Sequence, residues 1–207
     1  MPAIGASTTG TSSRSGPIES AGDSGVTGGA NRVDILSIVS DRDVRSPDVS
    51  TGRERVAADA AARGIEVEFV DRRAANTLEE AAEILGITPA DIVKSLVVKR
   101  SDGTFLFAEI PGDRVISWPK LRAIVGVNKL QLPDASLALE ATGYERGTIT
   151  PLGSSTAWPV FVDEWIVGRR VSMGAGEHGT SLFVEGDALI AGLGATVADI
   201  SEPTPER

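Results

Sequence analysis

Two apolar segments separated by an Asp-Gly pair lie in the middle of this 207-residue chain. Residues 92–99 and 104–110 are rich in β-branched and other apolar side chains, and Asp102-Gly103 lies between them. Because Asp-Gly favours the tight turn that joins antiparallel strands, we expect the two segments to form a β-hairpin. Both faces of the first strand are largely apolar, so the hairpin must lie inside the fold.

Lys94 is a charged residue within the first strand of this hairpin. Alternate residues of a strand share a face, so Lys94 lies with Leu96 and Val98, and Ser95 faces the other way. A buried ammonium group is unfavourable unless it is paired, reaches solvent or faces a ligand cleft. The chain has sixteen Arg and four Lys, which favours a role for a compact point charge here. An edge-strand lysine that discourages aggregation is an equally good interpretation of these residues.

Short capped helices alternate with strands between residues 50 and 201. Capping-box spacing at 51–54 and 77–80 predicts helices that begin there and end at Gly64 and Gly86. Further helices are predicted at 117–125, 134–142 and 186–193, and a short turn at 88–91. Further strands are predicted at 65–70, 128–132, 160–162, 169–173, 181–184 and near Val197. The pattern predicts one α/β domain of the α+β type, with a mixed, mostly antiparallel sheet and flanking helices.

The two ends of the chain lie outside this predicted domain. Residues 1–30 contain seventeen Gly, Ser or Thr and few large apolar side chains. Such a segment cannot bury enough apolar surface to offset the entropy lost on ordering, so we predict a disordered tail over 1–49. Residues 202–207 are expected to form a short C-terminal tail.

The segment 143–153 has three glycines and a proline in eleven residues. This composition predicts a turn whose backbone comes close to another group. Unpaired amides in such a turn can bind an oxyanion or hold a water molecule. From spacing alone, a stiff connection between a helix and a strand is the simpler interpretation.

A second glycine-rich segment, 174–179, matches the GxGxxG pattern of dinucleotide-binding proteins. That fingerprint must open a helix, whereas residues 180–184 are typical of a strand. We therefore predict a glycine-rich β-turn that lines a cleft. The segment contains His178, the only histidine, for which a solvated loop position is the favoured interpretation.

Several classes of chemistry are excluded by composition. With no cysteine and one histidine, the chain offers neither a thiolate nucleophile nor an ordinary zinc site. There is no nucleophile elbow and no Walker A motif, and Ser95 faces away from Lys94. We therefore expect no metal and no cofactor, and a mechanism without a nucleophilic side chain.

The formal charge of −9 argues against non-specific binding to DNA or another long polyanion. Residues 94–146 differ, because eight basic residues against six acidic ones give a local charge of +2. This is compatible with a compact contact at one end of a nucleic acid. No continuous apolar run is long enough for a membrane span, so we expect a cytoplasmic protein.

In order, the segments of this chain resemble the YbaK/EbsC family, relatives of the editing domain inserted in bacterial prolyl-tRNA synthetases. The resemblance rests on three segments and on the helix and strand order between them: "ADIVKSLVV", "TGYERGTITPLG" and "RVSMGAGEHGTSLFVEGDALIAGLGATVADI". It spans residues 51–200. It implies a mixed α/β fold and hydrolysis of the ester that joins a wrong amino acid, such as cysteine or alanine, to tRNA for proline.

By this resemblance, Lys94 would hold the aminoacyl-adenosine end of the substrate. The turn at Gly147 and Thr148 would place backbone amides against the ester or an attacking water, so these three residues are the implied catalytic set. The implied substrate-binding residues are Ser95, Ile149, Thr150, Pro151, Gly174, Gly176 and His178. The implied partners are the acceptor end of mischarged tRNA and prolyl-tRNA synthetase.

Two departures from the family pattern leave the edited amino acid open. Members that process cysteinyl esters often have a second glycine where this chain has Thr148, and a basic residue where it has His178. An alternative function is a non-catalytic module that binds a tRNA acceptor, a nucleotide or a synthetase. A further alternative is an interaction domain whose pocket is filled by side chains around Lys94.

Overall fold

The computed structural model describes residues 51–205, so the predicted tail 1–49 lies outside the described residues. The helices are α1 (Gly52–Ala62), α2 (Leu78–Leu85), α3 (Trp118–Val125), α4 (Ala135–Thr142) and α5 (Gly186–Leu193). The strands are β1 (Val67–Asp71), β2 (Val93–Arg100), β3 (Phe105–Pro111), β4 (Arg114–Ile116), β5 (Leu130–Gln131), β6 (Val160–Asp163), β7 (Arg170–Gly174), β8 (Thr180–Glu185), β9 (Thr196–Ala198) and β10 (Ser201–Pro203). Two short 3-10 turns cover Pro89–Asp91 and Glu164–Ile166.

The strands form three sheets. A five-stranded sheet has the order β5-β2-β3-β6-β9, a three-stranded sheet has the order β1-β8-β7, and β10 pairs with β4. The pairings are antiparallel except where β6 joins β3 and β9. The predicted fold class, a mixed and mostly antiparallel α/β arrangement with flanking helices, is therefore confirmed.

The predicted hairpin lies at the centre of the five-stranded sheet. Strands β2 and β3 pair antiparallel from Val93 opposite Pro111 to Lys99 opposite Phe105. On the other side of β2, strand β5 pairs only with Lys99 and Arg100. Within the described chain, residues 93–98 of β2 thus have a ladder partner along one side only. On the other side, Ile92 just before β2 makes a single parallel bridge to Ser172 of β7, and the edge beyond that bridge is open.

The two faces of β2 lie in different hydrophobic clusters. Val93 and Val97 pack in the larger core, which also contains Phe107 on β3. Leu96 and Val98 pack in a second cluster on the opposite side of the sheet. Lys94 and Ser95 therefore face opposite sides, as the alternation predicted.

The helix boundaries follow the capping signals. Thr51 and Glu54 form the predicted capping box at the start of α1. At α2, Thr77 accepts a hydrogen bond from the Glu80 amide, but the Glu80 carboxylate accepts from the amide of Asn76 instead of Thr77. Gly86 ends α2 in the left-handed conformation, with φ of 68°, which glycine adopts without steric cost.

Strands β4 and β10 were not predicted, because each has only three residues and neither alternates clearly. They pair through Ser201 opposite Ile116 and Pro203 opposite Arg114. The ordered sheet therefore continues to Pro203, two residues beyond the expected domain end. In residues 51–205, no helix is both long and apolar enough to cross a membrane.

Tyr144 fixes the glycine-rich segment 143–153 to the core. Its side chain is fully buried, and its hydroxyl donates a hydrogen bond of 2.8 Å to the carbonyl of Leu152. Burial raises the pKa of the Tyr144 hydroxyl to about 12. Helix α1 holds the same segment, because Arg55 donates to the Gly143 carbonyl and Asp59 accepts from the Gly153 amide.

We expect Tyr144→Phe to lower the free energy of unfolding by about 1–2 kcal/mol, since the buried Leu152 carbonyl loses its donor. Urea unfolding measures this change. The exposed Thr156 offers a control, because Thr156→Ala should change stability by less than about 0.5 kcal/mol. Equal stability of the two variants would contradict this account of the turn.

Candidate active site

A cavity of about 560 Å³ opens beside the free edge of β2. Its walls come from β2, α2, the start of α4, the glycine turn after α4, and the adjoining ends of β7 and β8. This volume lies within the range of about 300–1,000 Å³ typical of small-molecule sites. The pocket beside Lys94 is open, so the alternative of a pocket filled by side chains does not describe this structure.

The cavity brings five of the predicted site residues together. They are Lys94, Ser95, Gly147, Ile149 and Gly174. The other predicted residues lie beside these but do not line the cavity: Thr148, Thr150, Pro151, Gly176 and His178. The two distant segments singled out by sequence, the lysine strand and the glycine turn, therefore meet at one cavity.

Lys94 is half-buried and held by backbone. Its Nζ donates a hydrogen bond of 2.9 Å to the Gly112 carbonyl and another to the Arg114 carbonyl. An ammonium group has three donors, so one remains for a ligand. Burial lowers the Lys94 pKa, and the negative charges of Asp113 and Glu79 partly oppose this shift. Two backbone hydrogen bonds and two acidic neighbours thus compensate the half-buried charge of Lys94.

The glycine turn presents backbone to the cavity. Gly147 has φ of 94°, a conformation that strongly favours glycine. The Thr148 amide and hydroxyl both donate to the Glu145 carbonyl, at 3.0 and 2.9 Å, so Thr148 is occupied within the turn. Within residues 51–205, the Gly147 and Ile149 amides make no hydrogen bond. Both residues line the cavity, so their amides are candidate donors to a ligand.

Close backbone contact fixes the turn against β7. A Cβ atom at Gly174 would lie 2.4 Å from the Ile149 carbonyl oxygen and 2.7 Å from that of Thr148. The Gly176 amide donates a hydrogen bond of 2.9 Å to the Thr148 carbonyl. Glycine at 174 and the bond from Gly176 therefore set the position of the turn. As predicted, the GxGxxG segment is a turn between strands, β7 and β8.

His178 lies on the outer side of the glycine turn. Its side chain is 66% exposed, and its Nε2 atom is 2.9 Å from a carboxylate oxygen of Glu145. A Cβ atom at Gly147 would lie 3.9 Å from the His178 ring. His178 therefore contacts the turn through Glu145, on its solvent-exposed side.

The cavity contains polar residues that were not predicted. Arg72, Arg146, Asn76, Ser172 and Ser181 contribute to its lining. With Lys94, the two arginines make its charged rim predominantly basic, which suits a phosphate-bearing ligand. In residues 51–205, no three His, Cys, Asp or Glu side chains are grouped to hold a metal ion.

Glu109 is the most unusual residue near the cavity. It is fully buried on β3, directly opposite Ser95, and its Oε2 atom lies 2.7 Å from Ser95 Oγ. Its Oε1 atom has no hydrogen-bond partner within the described chain. Burial raises the Glu109 pKa from its ordinary 4.5 to about 8, and the bond to Ser95 opposes this only partly. An ionisable residue within an apolar strand is the same sequence signal that pointed to Lys94. Glu109 shows this signal but was not among the predicted site residues.

The raised pKa predicts a pH-dependent loss of stability. Between pH 4.5 and about 8 the unfolded chain releases the Glu109 proton and the folded chain retains it, so the contribution of Glu109 to stability falls as pH rises. At neutral pH, Glu109→Met should raise the free energy of unfolding by on the order of 1–3 kcal/mol, because it removes a buried carboxyl group with one unpartnered oxygen.

Urea unfolding of both proteins at several pH values tests this prediction. The difference between variant and wild type should grow from pH 4.5 to about 8 and level off beyond. Taking the difference cancels the titrations that the two proteins share. A difference that is independent of pH would show that Glu109 has an ordinary pKa in the folded protein.

Comparison with known proteins identifies the family. Residues 72–191, more than half of the chain, match the model of the aminoacyl-tRNA editing domain. A proline--tRNA ligase from Thermosipho africanus is 42% identical over 78 residues, which cover 38% of this chain and 14% of the ligase. A proline--tRNA ligase from Bacillus licheniformis is 31% identical over 98 residues, covering 47% of this chain and 17% of the ligase. The chain thus matches less than a fifth of the length of these relatives.

A solved structure matches over a much larger share. The crystal structure of a candidate trans-editing enzyme for prolyl-tRNA synthetase matches with a TM-score of 0.68 and 29% identity. The match covers 74% of this chain and 99% of that protein. The sequence resemblance is confirmed: this chain belongs to the aminoacyl-tRNA editing domain family, with a YbaK-like fold.

Proposed function

We propose that this protein is an aminoacyl-tRNA deacylase that acts in trans, hydrolysing the ester of mischarged tRNA. The observation that carries the proposal is the open cavity where Lys94 and the Gly147 turn meet, in a chain of the editing-domain family. The match to a candidate trans-editing enzyme over nearly all of that protein supports action as a separate chain.

The cavity is suited to the aminoacyl end of a tRNA. Its volume of about 560 Å³ is large enough for a small amino acid with part of the terminal ribose. Apolar side chains such as Leu78 and Met173 line it alongside the basic residues Arg72 and Arg146. An apolar floor with a basic rim matches a substrate in which a small acyl group is joined to a phosphate-bearing strand.

The proposed reaction needs no nucleophilic side chain. Water attacks the ester carbonyl carbon, the bond to the ribose oxygen breaks, and that oxygen takes up a proton as the free amino acid leaves. The ester is already activated, so orientation and oxyanion stabilisation supply the rate enhancement. The free amides of Gly147 and Ile149 are donors for the carbonyl oxygen or for the attacking water.

Lys94 has a positioning role in this proposal. Two of its N–H groups donate to the Gly112 and Arg114 carbonyls, and the third is available to an oxygen of the terminal nucleotide. Thr148 acts by holding the turn, through its bonds to Glu145, and His178 supports the same turn from outside. Ser95, Ile149 and Gly174 form the floor and wall, with Thr150, Pro151 and Gly176 behind them.

The proposed substrate is tRNA for proline that carries a small wrong amino acid, such as cysteine or alanine. The support is similarity to two proline--tRNA ligases and to a protein described as editing for prolyl-tRNA synthetase. The same similarity makes prolyl-tRNA synthetase a candidate partner, and translation places the proposed activity in the cytoplasm.

Lys94→Ala should lower kcat/KM for deacylation by about 10²–10³, because the terminal nucleotide loses its contact with a half-buried ammonium group. Lys99→Ala is the matched control, since Lys99 lies on the same strand but not at the cavity. Release of radiolabelled amino acid from alanyl, cysteinyl and seryl tRNAs for proline measures the rates.

Thermal unfolding of both variants separates catalysis from folding. Equal rates for wild type and Lys94→Ala across the panel would overturn the assignment of Lys94. Saturable binding of mischarged tRNA without turnover by the wild type would instead favour the non-catalytic binding module.

A further inference from the structure

Glu109 is a buried acid that the proposed mechanism does not use. Its only hydrogen-bond partner in the described chain is Ser95, which lines the cavity. A buried carboxyl group with one free oxygen reduces stability, so its presence requires another explanation. The pairing of β2 with β3 places Glu109 directly opposite Ser95, on the face of the sheet that packs in the larger core.

Within residues 51–205, no charged group compensates Glu109. Across the sheet, its neighbours on the same face are Ser95 on β2 and Val162 on β6. Lys94 and Asp163, the adjacent charged residues on these two strands, face the other side of the sheet. Burial is the largest cause of its raised pKa, and no charged side chain contributes. Glu109 is therefore mainly neutral at pH 7.

Because Glu109 is neutral, either Glu109 or Ser95 could donate the hydrogen bond between them, and the surroundings of Glu109 favour one of these two arrangements. If Ser95 donated, the Glu109 proton would lie on Oε1, where the described chain offers it no acceptor. If Glu109 donates from Oε2, the unpaired atom is a carbonyl oxygen, which is the less costly of the two to leave unsatisfied. In the second arrangement, the Ser95 hydroxyl proton is free to point into the cavity.

We infer that Glu109 is a positioning residue which, as a neutral acid, orients the Ser95 hydroxyl as a hydrogen-bond donor to the ester carbonyl oxygen of the substrate. The inference rests on the proposed function. Every aminoacyl-tRNA has an ester carbonyl oxygen that can accept a hydrogen bond. The α-ammonium group has no lone pair and cannot accept one. Ser95 would thus join the turn amides in binding the carbonyl, and the contact would be independent of the amino acid side chain.

A double-mutant cycle at pH 7 tests whether the two residues act as one unit. Ser95→Ala and Glu109→Met should each lower kcat by about 10-fold or more for every ester in the panel, and the double variant should be no slower than Ser95→Ala. A merely structural Glu109 would give additive losses. Wild-type kcat in Glu109→Met would overturn the inference, as would a double variant that is slower than Ser95→Ala.

The pH profile provides a second test. Above about pH 8 Glu109 ionises, and its carboxylate then accepts a hydrogen bond from the Ser95 hydroxyl. Ser95 can no longer donate to the substrate. Wild-type activity, corrected for uncatalysed hydrolysis, should therefore fall above this pH. Glu109→Gln can still donate to Ser95 but cannot ionise, so its rate should not fall there. The same alkaline fall in both proteins would overturn the inference.

A non-reactive ligand separates this inference from the proposed function. An alanyl-adenosine analogue with an amide in place of the ester retains the carbonyl acceptor, and its Kd can be measured by calorimetry at pH 7 and pH 9. We expect weaker binding at pH 9 for the wild type but not for Glu109→Gln. With that result and no turnover of any ester, the deacylase proposal fails and the Ser95–Glu109 assignment stands. Absence of analogue binding, or equal pH dependence in both proteins, overturns the assignment.

Discussion

The pairing of β2 with β3 along one side, and with β5 over only two residues on the other, determines where this protein can bind a ligand. A strand in the middle of a fold ordinarily has two complete partners, which would close the space beside Lys94. Here β5 ends after Gln131, and the chain turns into α4 instead of continuing along the sheet. The glycine turn and β7 come towards the edge that remains, and the cavity lies between them.

Two ionisable groups occupy opposite faces of the same hairpin, and the protein compensates them differently. Lys94 has two backbone acceptors and two acidic neighbours, whereas Glu109 has one serine and a raised pKa. The first arrangement retains a charge near the cavity, and the second retains a neutral acid. Both place a polar group in the central hairpin, and unfavourable polar groups of this kind tend to concentrate at functional sites.

Most helices and strands could be predicted from local signals. Thr51, Thr77 and Asp134 cap the starts of helices, glycine ends the second and third of these, and the Asp-Gly pair marks the hairpin. These signals act within a few residues. The short strands β4 and β10 could not be predicted, since each is stabilised only by a partner more than 80 residues away. The two parallel pairings of β6 depend on tertiary packing in the same way.

The sequence predicts that the lysine strand and the glycine turn form the candidate site. It does not predict which way the side chains around that site point. Nothing local shows that the Thr148 hydroxyl bonds back to Glu145 and lies outside the cavity. Glu109 is visible in the sequence, but its importance depends on Ser95 lying opposite it.

The walls of the cavity also differ in kind. Backbone packed on backbone at Gly174 fixes one wall, and the side chains of α2 form another, so substitutions along α2 change the shape of the cavity without displacing the glycine turn.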